Sequence, residues 1–561
     1  MQKRQVYNPF LPLNVCIPDG EPHLFDGRVY LYGSHDREGG WTFCMEDYEV
    51  WSAPEEDLSD WRCEGTIYRA SQDPMYPDMK YMYAPDVVQG NDGRYYLYYC
   101  MSGDYGVGGY RCPISVAVCD TPAGNYEYLG HVQNPDGSLM MRYVCFDPAV
   151  LNDDGVIRLY YGTQYGFEED HPGEDWVWET EQDMFGRTKE ELMSYPDSIN
   201  GPVMAVLEDD MLTVKEPARH IIPYKVKGTS FEEHPFFEAS SMRKVGEKYY
   251  FVYSSWQNHE LCYATSDYPD RDFTFGGTIV SNGDVGLGGR KLEEKLNMTG
   301  TTHGSIISLA GQWYVFFHRL THKSDYSRQA CAEKIKIAPD GSIKQVELTS
   351  CGLNNGPLRG EGSYPAVICC NLTNGRMPHG CNSIYPIAFP NVTHRVSAGP
   401  EGTEAVSCGV DEEAVDRFIG EIEDGTLIGY KYFDCKGLTE IGVTVRYETP
   451  ENLVTYSGPA RIDERSAEEL KSYEKPADTD EPQDATGETK DAADDEGFFD
   501  ISTSIDGPVI ARIGIADNED PFAWETCTGI IEEGALPDGV YAFFFRYHGK
   551  RKIQMKDILF Q

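Results

Sequence analysis

One pattern limits the fold of this chain more than any other: a turn carrying glycine followed by a tyrosine-rich strand, repeated five times. The copies read DGRVYLYGSHD from Asp26, NDGRYYLYYCMS from Asn91, DDGVIRLYYGTQY from Asp153, VGEKYYFVYSSW from Val245 and AGQWYVFFHRL from Ala310. Their glycines, Gly27, Gly93, Gly155, Gly246 and Gly311, are 66, 62, 91 and 65 residues apart, and the fourth copy is one residue out of step. Each copy joins a hairpin turn, whose glycine accepts a positive φ, to a strand of aromatic and β-branched residues. Most copies are followed by a further strand ending in a small or polar step, as in ISVAVCDTPAGNY and LCYATSDYPD. Self-similarity at such a period marks radial repetition, in which blades close a ring and leave only short edges. The expectation is an all-β chain whose residues 1–345 form a five-bladed β-propeller. The long third interval holds an acidic, aromatic insertion around Glu168 to Ser194.

Beyond about residue 345 the repeat stops. A connecting segment at 346–375 leads to residues 376–561, where strand-like runs such as TLIGYKYFDCKG, EIGVTVRYE, GPVIARIGIA and GVYAFFFRYHG predict a jelly-roll-like β-sandwich. An acidic stretch at 463–496, nearly free of apolar anchors, reads as a disordered loop within it.

Composition agrees with β-structure and narrows the partner. Aromatic residues make up 12% of the chain, with 38 Tyr and 56 Gly. The 92 acidic residues outnumber the 48 basic ones, for a net charge of −44. Nucleic acid and anionic membrane surfaces should be repelled, so the expected partner is neutral or cationic, with oligomeric state left open. The N-terminal residues lack an apolar run of signal-peptide length, and no segment reaches membrane-spanning length, so a cytoplasmic location is expected. The 16 cysteines follow neither a disulfide framework nor a paired zinc pattern and read as buried thiols.

Three carboxylates stand at one place in the repeat. Asp19, Asp147 and Glu238 each precede their blade's glycine by 8 residues, and Asp86 precedes Gly93 by 7. Equal offsets place them at equivalent points of the innermost strands, hence at one end of the central channel. Cleaving a glycosidic bond with inversion needs an acid on the leaving oxygen and a base on the attacking water. A propeller axis can gather such groups from distant blades.

At these residues the chain resembles glycoside hydrolase family 43, over roughly residues 7 to 345. The resemblance rests on the P-D step before the first strand, the D-P step of CFDPAVL, the glutamate of FFEASSM, YAPD at Tyr83 to Asp86 and THGS at Thr302 to Ser305. It implies an inverting hydrolase that releases terminal α-L-arabinofuranosyl or β-D-xylosyl units from hemicellulose-derived oligosaccharides. By the same resemblance Asp19 is the general base, Asp147 orients the acid and tunes its pKa, and Glu238 is the general acid. PDGEP replaces the usual PDP, which brings Glu21 close to the base. Asp86, His303, Arg319, Trp41, Phe43 and Met82 are candidate substrate contacts. No cofactor is required; His303 is where a structural Ca2+ would sit if one is held. Residues 376–561 resemble a family 6 type carbohydrate-binding module, with Trp524 and Tyr430 as candidate sugar-facing aromatics. The non-enzyme alternative is a sugar-binding propeller in which the carboxylates only hold hydroxyls.

Overall fold

The structure is a computed structural model. It describes residues 4–74, 79–103, 110–164, 182, 186–194, 199–256, 260–380, 387–396, 415–454 and 497–561. The acidic stretch at 463–496 and most of the 168–194 insertion lie outside the described residues. The chain divides into two compact units, the first comprising Met1–Ser281, Thr301–Arg319 and Tyr326–Glu347. The second takes in Asn282–Gly300, Leu320–Asp325 and Leu348–Gln561, so two short stretches that the sequence reading gives to the propeller belong with the C-terminal unit. Among the described residues no helix is long and apolar enough to cross a membrane.

Five antiparallel sheets follow one another along the first unit, four of them four-stranded and the fifth three-stranded. Their first strands are Glu21–Phe25, Tyr81–Gln89, Ala149–Asp153, Phe236–Val245 and Ser305–Leu309. These strands touch in cyclic order, the first against the second, and so on until the fifth meets the first again. That closed circuit makes the unit a five-bladed β-propeller with the first strand of each blade innermost. The short fifth blade is completed at the N-terminus. Phe10 N–H donates to Ala330 O at 3.3 Å, and the Asn8 side chain both accepts from Ala332 N–H (3.1 Å) and donates to Ala332 O (2.9 Å).

The repeat's chemistry explains the blades. In blades one, three and five the inner hairpin turns through Asp26–Gly27, Asp154–Gly155 and Ala310–Gly311, each with positive φ at both residues. Such two-residue turns carry the twist of the flanking strands. Blade four instead places Gly246 (φ 61°) first in its turn, which accounts for the copy that is out of step. The tyrosines of the second strands fill the gaps between blades: Tyr98 and Tyr161 lie with Val150 and Leu159 between blades two and three, and Tyr160 and Tyr253 between blades three and four. Burying an aromatic ring is worth about 1.5–3 kcal/mol, provided its hydroxyl finds an acceptor. Tyr98 Oη reaches Met211 O at 2.7 Å and Tyr160 Oη reaches Pro269 O at 3.0 Å.

The second unit holds two six-stranded sheets. One is built around Leu427–Cys435 and Gly539–His548, the other around Ile553–Phe560 and Glu440–Tyr447. Phe433 and Phe543 of the first meet Phe560 of the second at ring-centroid distances of 4.7 and 5.1 Å. Strands of these sheets begin at Leu358, inside the stretch read from sequence as a connector. Tyr430 is wholly buried with its hydroxyl on Ala366 O, so it presents no face to sugar. Trp524 is half-buried, with the Arg446 guanidinium 4.0 Å over its ring.

Candidate active site

Asp19 and Asp147 each stand two residues ahead of an inner strand, and both have left-handed backbones, with φ of 57° and 46°. In blade four the kink comes one residue later: Ala239, after Glu238, has φ 68°, and the strand pairing shifts on both sides of Glu238. Non-glycine residues are rarely held there, and such strain collects at functional sites. The kinks turn the three carboxylates out of the strand alternation at the same end of the channel. Ala239 N–H donates to Asp147 Oδ2 at 3.0 Å, tying the backbone beside Glu238 directly to Asp147.

The environments of the three differ. Arg328 Nη1 donates to Asp19 Oδ1 at 2.8 Å. Burial would raise the Asp19 carboxyl, but the Arg328 guanidinium, helped by the Ser34 hydroxyl, outweighs it and holds the group below the ordinary carboxylate range. The Asp19 N–H donates to His318 Nδ1 (3.2 Å), whose Nε2 lies 2.8 Å from Thr301 O. His318 is therefore neutral, its pKa brought down by burial to about 3. Glu238 is pushed up to about 8, first by burial and then by the charge of Asp19, with Arg328 opposing. Asp147 is also raised well above the ordinary value, by burial, by Glu238 and by Asp19. One carboxylate is thus fixed as an anion beside a pair, Asp147 and Glu238, whose mutual repulsion keeps both from ionising together.

Arg328 organises this contrast, and sequence reasoning missed it. Its Nε and Nη2 hold Asp36 at 2.8 and 3.0 Å while Nη1 holds Asp19, and its guanidinium lies 4.8 Å from the Phe43 ring centroid. A signal was there: Arg328 is the sole basic residue between Lys323 and Lys334, inside a strand, Ser324–Ile335, that is buried almost throughout. A lone buried cation needs a carboxylate partner.

Several expected contacts fall elsewhere. Arg319 turns its guanidinium to Gln329 Oε1 (2.8 and 3.1 Å). Successive strand residues face opposite ways, so His318 and Arg328 reach Asp19 while Arg319 and Gln329 pair on the other face. Met82 lies in the core between blades one and two, while its neighbour Tyr83 packs on Phe43 and Phe146. Phe43 sits edge-on to Tyr326 at 4.7 Å and backs Arg328 rather than lining open space. Trp41 is half-buried. Asp86 is fully buried: Oδ1 accepts from Val87 N–H and lies 2.6 Å from His23 Nε2, and Oδ2 accepts from Val150 N–H at 2.7 Å. It therefore binds three blades together. Phe146 and Phe237, which precede Asp147 and Glu238, pack on Tyr110 and Trp256 at 4.6 and 4.8 Å.

His303 stands between two carboxylates, Nδ1 3.7 Å from Asp147 and Nε2 3.9 Å from Glu21. Burial lowers it to about 4, so it is neutral. Glu21 is held by Arg243 Nη2 at 2.5 Å, and burial raises it to about 8 despite that arginine. Glu21 Oε1 and His303 Nε2 are buried without hydrogen-bond partners among the described residues. They are the donors a cation beside His303 would use. Ca2+ takes six to eight oxygens, so water would have to supply most of its shell there.

The profile of Glycosyl hydrolases family 43 matches residues 8–343. A xylosidase/arabinosidase of Thermoclostridium stercorarium is 39% identical over 571 residues, covering 99% of this chain and 98% of its own. Xylosidase/arabinosidase 43A of Humicola insolens is 31% identical over 354 residues, covering 59% of this chain and 96% of its own. A family 43 enzyme of Xanthomonas citri, solved with xylose, is 26% identical over 61% of this chain and 93% of its own, with a TM-score of 0.46. With one relative alike from end to end and a profile that spans the whole propeller, the chain belongs to glycosyl hydrolase family 43 and is a glycoside hydrolase.

Proposed function

We propose that the protein releases terminal α-L-arabinofuranosyl or β-D-xylosyl residues from hemicellulose-derived oligosaccharides with inversion, using Asp19 as general base and Glu238 as general acid. The observation that carries this reading is the split in proton affinity within one site. Asp19 is kept ionised by Arg328, while Glu238 keeps its proton up to about 8. A pair of carboxylates pushed apart in this way has its acid and base already assigned. The names of the relatives, xylosidase/arabinosidase in both, support the choice of pentoses.

In this mechanism Glu238 delivers its proton to the departing glycosidic oxygen as the bond lengthens. Asp19 takes a proton from the water that attacks the anomeric carbon from the opposite face. Asp147, fixed by Ala239 N–H, and Glu238 repel one another when ionised, so the pair does not readily lose both protons and Glu238 keeps one at neutral pH. Arg328 holds Asp19 on station and restrains its basicity, and neutral His318 and His303 fill the axis without adding charge.

The test is hydrolysis of aryl α-L-arabinofuranosides and β-D-xylosides, with NMR of the first-formed anomer of the preferred sugar. Release of the inverted anomer is expected. Product of retained configuration, or no hydrolysis of either pentoside, would refute the reading.

A further inference from the structure

We propose that His234, Glu260 and Cys262 form a binding site for a divalent transition-metal ion, with Zn2+ the best match to their donors. The three lie in blade four and take no part in the hydrogen bonds described for Asp19, Asp147 and Asp86. His234 leads into the inner strand Phe236–Val245, and Glu260 and Cys262 stand at the start of the third strand, Leu261–Ser266. One ligand atom from each lies within 4.8 Å of the other two. Thiolate, imidazole and carboxylate ligands around a tetrahedral Zn2+ are about 3.5 Å apart, so modest side-chain adjustment would bring them to bonding distance.

The framework is already rigid. Tyr253 Oη donates to His234 O at 2.7 Å, and Ser255 N–H donates to Glu260 O at 3.0 Å. The His234 ring is stacked on Phe275, centroids 4.7 Å apart and planes 9° from parallel. Its Nδ1 lies 2.6 Å from Glu260 Oε1.

The independent observation is Glu260. Its side chain is 4% exposed, yet Oε2 is buried with no hydrogen-bond partner among the described residues. Leaving a buried carboxylate oxygen unsatisfied is costly, and an ion held against it removes that cost. A donor set with one sulfur, one nitrogen and one carboxylate suits Zn2+ or Co2+, and is too poor in oxygen for Ca2+ or Mg2+. Thr278 Oγ1, 3.7 Å from Cys262 Sγ, can steady the sulfur. His234 keeps 28% of its side chain exposed, which gives the ion a way in and leaves the fourth position to water. Because His234 lies on the segment that continues into Glu238, the ion would clip the approach to the acid's strand to the third strand of the same blade.

The experiment uses the full chain, stripped with a chelator and titrated with Co2+ and Zn2+. One equivalent of Co2+ should bind with a thiolate-to-cobalt charge-transfer band and tetrahedral d–d bands, and Zn2+ should displace it. Cys262→Ser should abolish the charge-transfer band while leaving the circular dichroism of the apo protein unchanged. His234→Ala and Glu260→Gln should each weaken Zn2+ by more than the roughly 10- to 100-fold that losing an outer-shell partner costs. Absence of stoichiometric binding, or a charge-transfer band that survives in Cys262→Ser, would overturn the proposal. Should Cys262→Ser misfold, an unchanged Zn2+ affinity in His234→Ala would overturn it instead.

Discussion

Replacing Asp147 by Asn should move the basic limb of the pH–rate profile toward acid. Glu238 is raised to about 8, first by burial and then by the Asp19 charge. Glu238 in turn raises Asp147, and repulsion between two titrating groups acts on both. Asparagine keeps an acceptor for Ala239 N–H, which now sits 3.0 Å from Asp147 Oδ2, so the geometry is retained while the charge is removed. A charge at such range is worth about 1–3 pH units, or roughly 1.4–4 kcal/mol. Burial and the Asp19 charge persist in the variant, so the limb should fall from about 8 to roughly 5–7 and no further. The assay is kcat/KM against pH with an alkyl pentoside, whose leaving group cannot depart without a proton. Above the new limb the variant should lose about tenfold per pH unit relative to its plateau. A limb that stays at the wild-type pH, or moves upward, would refute the claim that Asp147 sustains the acid's proton.

Glu238→Ala should lose several orders of magnitude on an alkyl pentoside but recover much of its rate on a dinitrophenyl pentoside, whereas Asp19→Ala should be slow on both; steady-state kinetics on the two substrates decide. If Asp19→Ala stays near normal while Glu21→Ala is inactive, the base lies on the other side of the PDGEP turn. Arg328→Met leaves Asp36 buried without its cation and should cost about 3–5 kcal/mol in denaturant unfolding; Arg328→Lys should lose less stability but still cost activity, because an ammonium cannot span Asp19 and Asp36 as the guanidinium fork does. Glu238 and Glu21 bind protons in the fold up to about 8 but, once unfolded, only to near 4.5, so stability should fall as pH rises through that window; Glu238→Gln should therefore gain melting temperature over the parent more at pH 8 than at pH 5, and an equal gain at both would contradict the assignment.

What was legible in the sequence was the periodic part. The hairpin glycines and tyrosines recur because each blade solves the same twist and packing problem, and equal offsets carried Asp19, Asp147 and Glu238 to one place. The remaining contacts depended on facing, where an error of one residue reverses a strand. Met82 for Tyr83 is an error of that kind, and so is Arg319, one residue along its strand from His318, which does reach Asp19: the strands were right, but the side chains point into another layer. Asp86 failed for a different reason. Its place in the repeat is nearly that of the catalytic set, yet the backbone amides of Val87 and Val150 and the His23 ring use up its oxygens, and a pattern of offsets does not reveal who takes a carboxylate's lone pairs. Glu21 and Arg243, 222 residues apart, pair only because the ring closes.

The clasp between Asn8 and Ala332 sets an order of events during synthesis. Asp19 is translated 309 positions before the guanidinium that holds it, which stands on the strand that Asn8 and Phe10 grip. Contacts so far apart in sequence demand the costliest loop closure and form late. The proposed base is thus translated well before it can be positioned. A nascent chain displaying four finished blades would carry Asp19, Asp147 and Glu238 but not the Arg328 guanidinium that holds Asp19, so the appearance of activity would serve as a clock for ring closure.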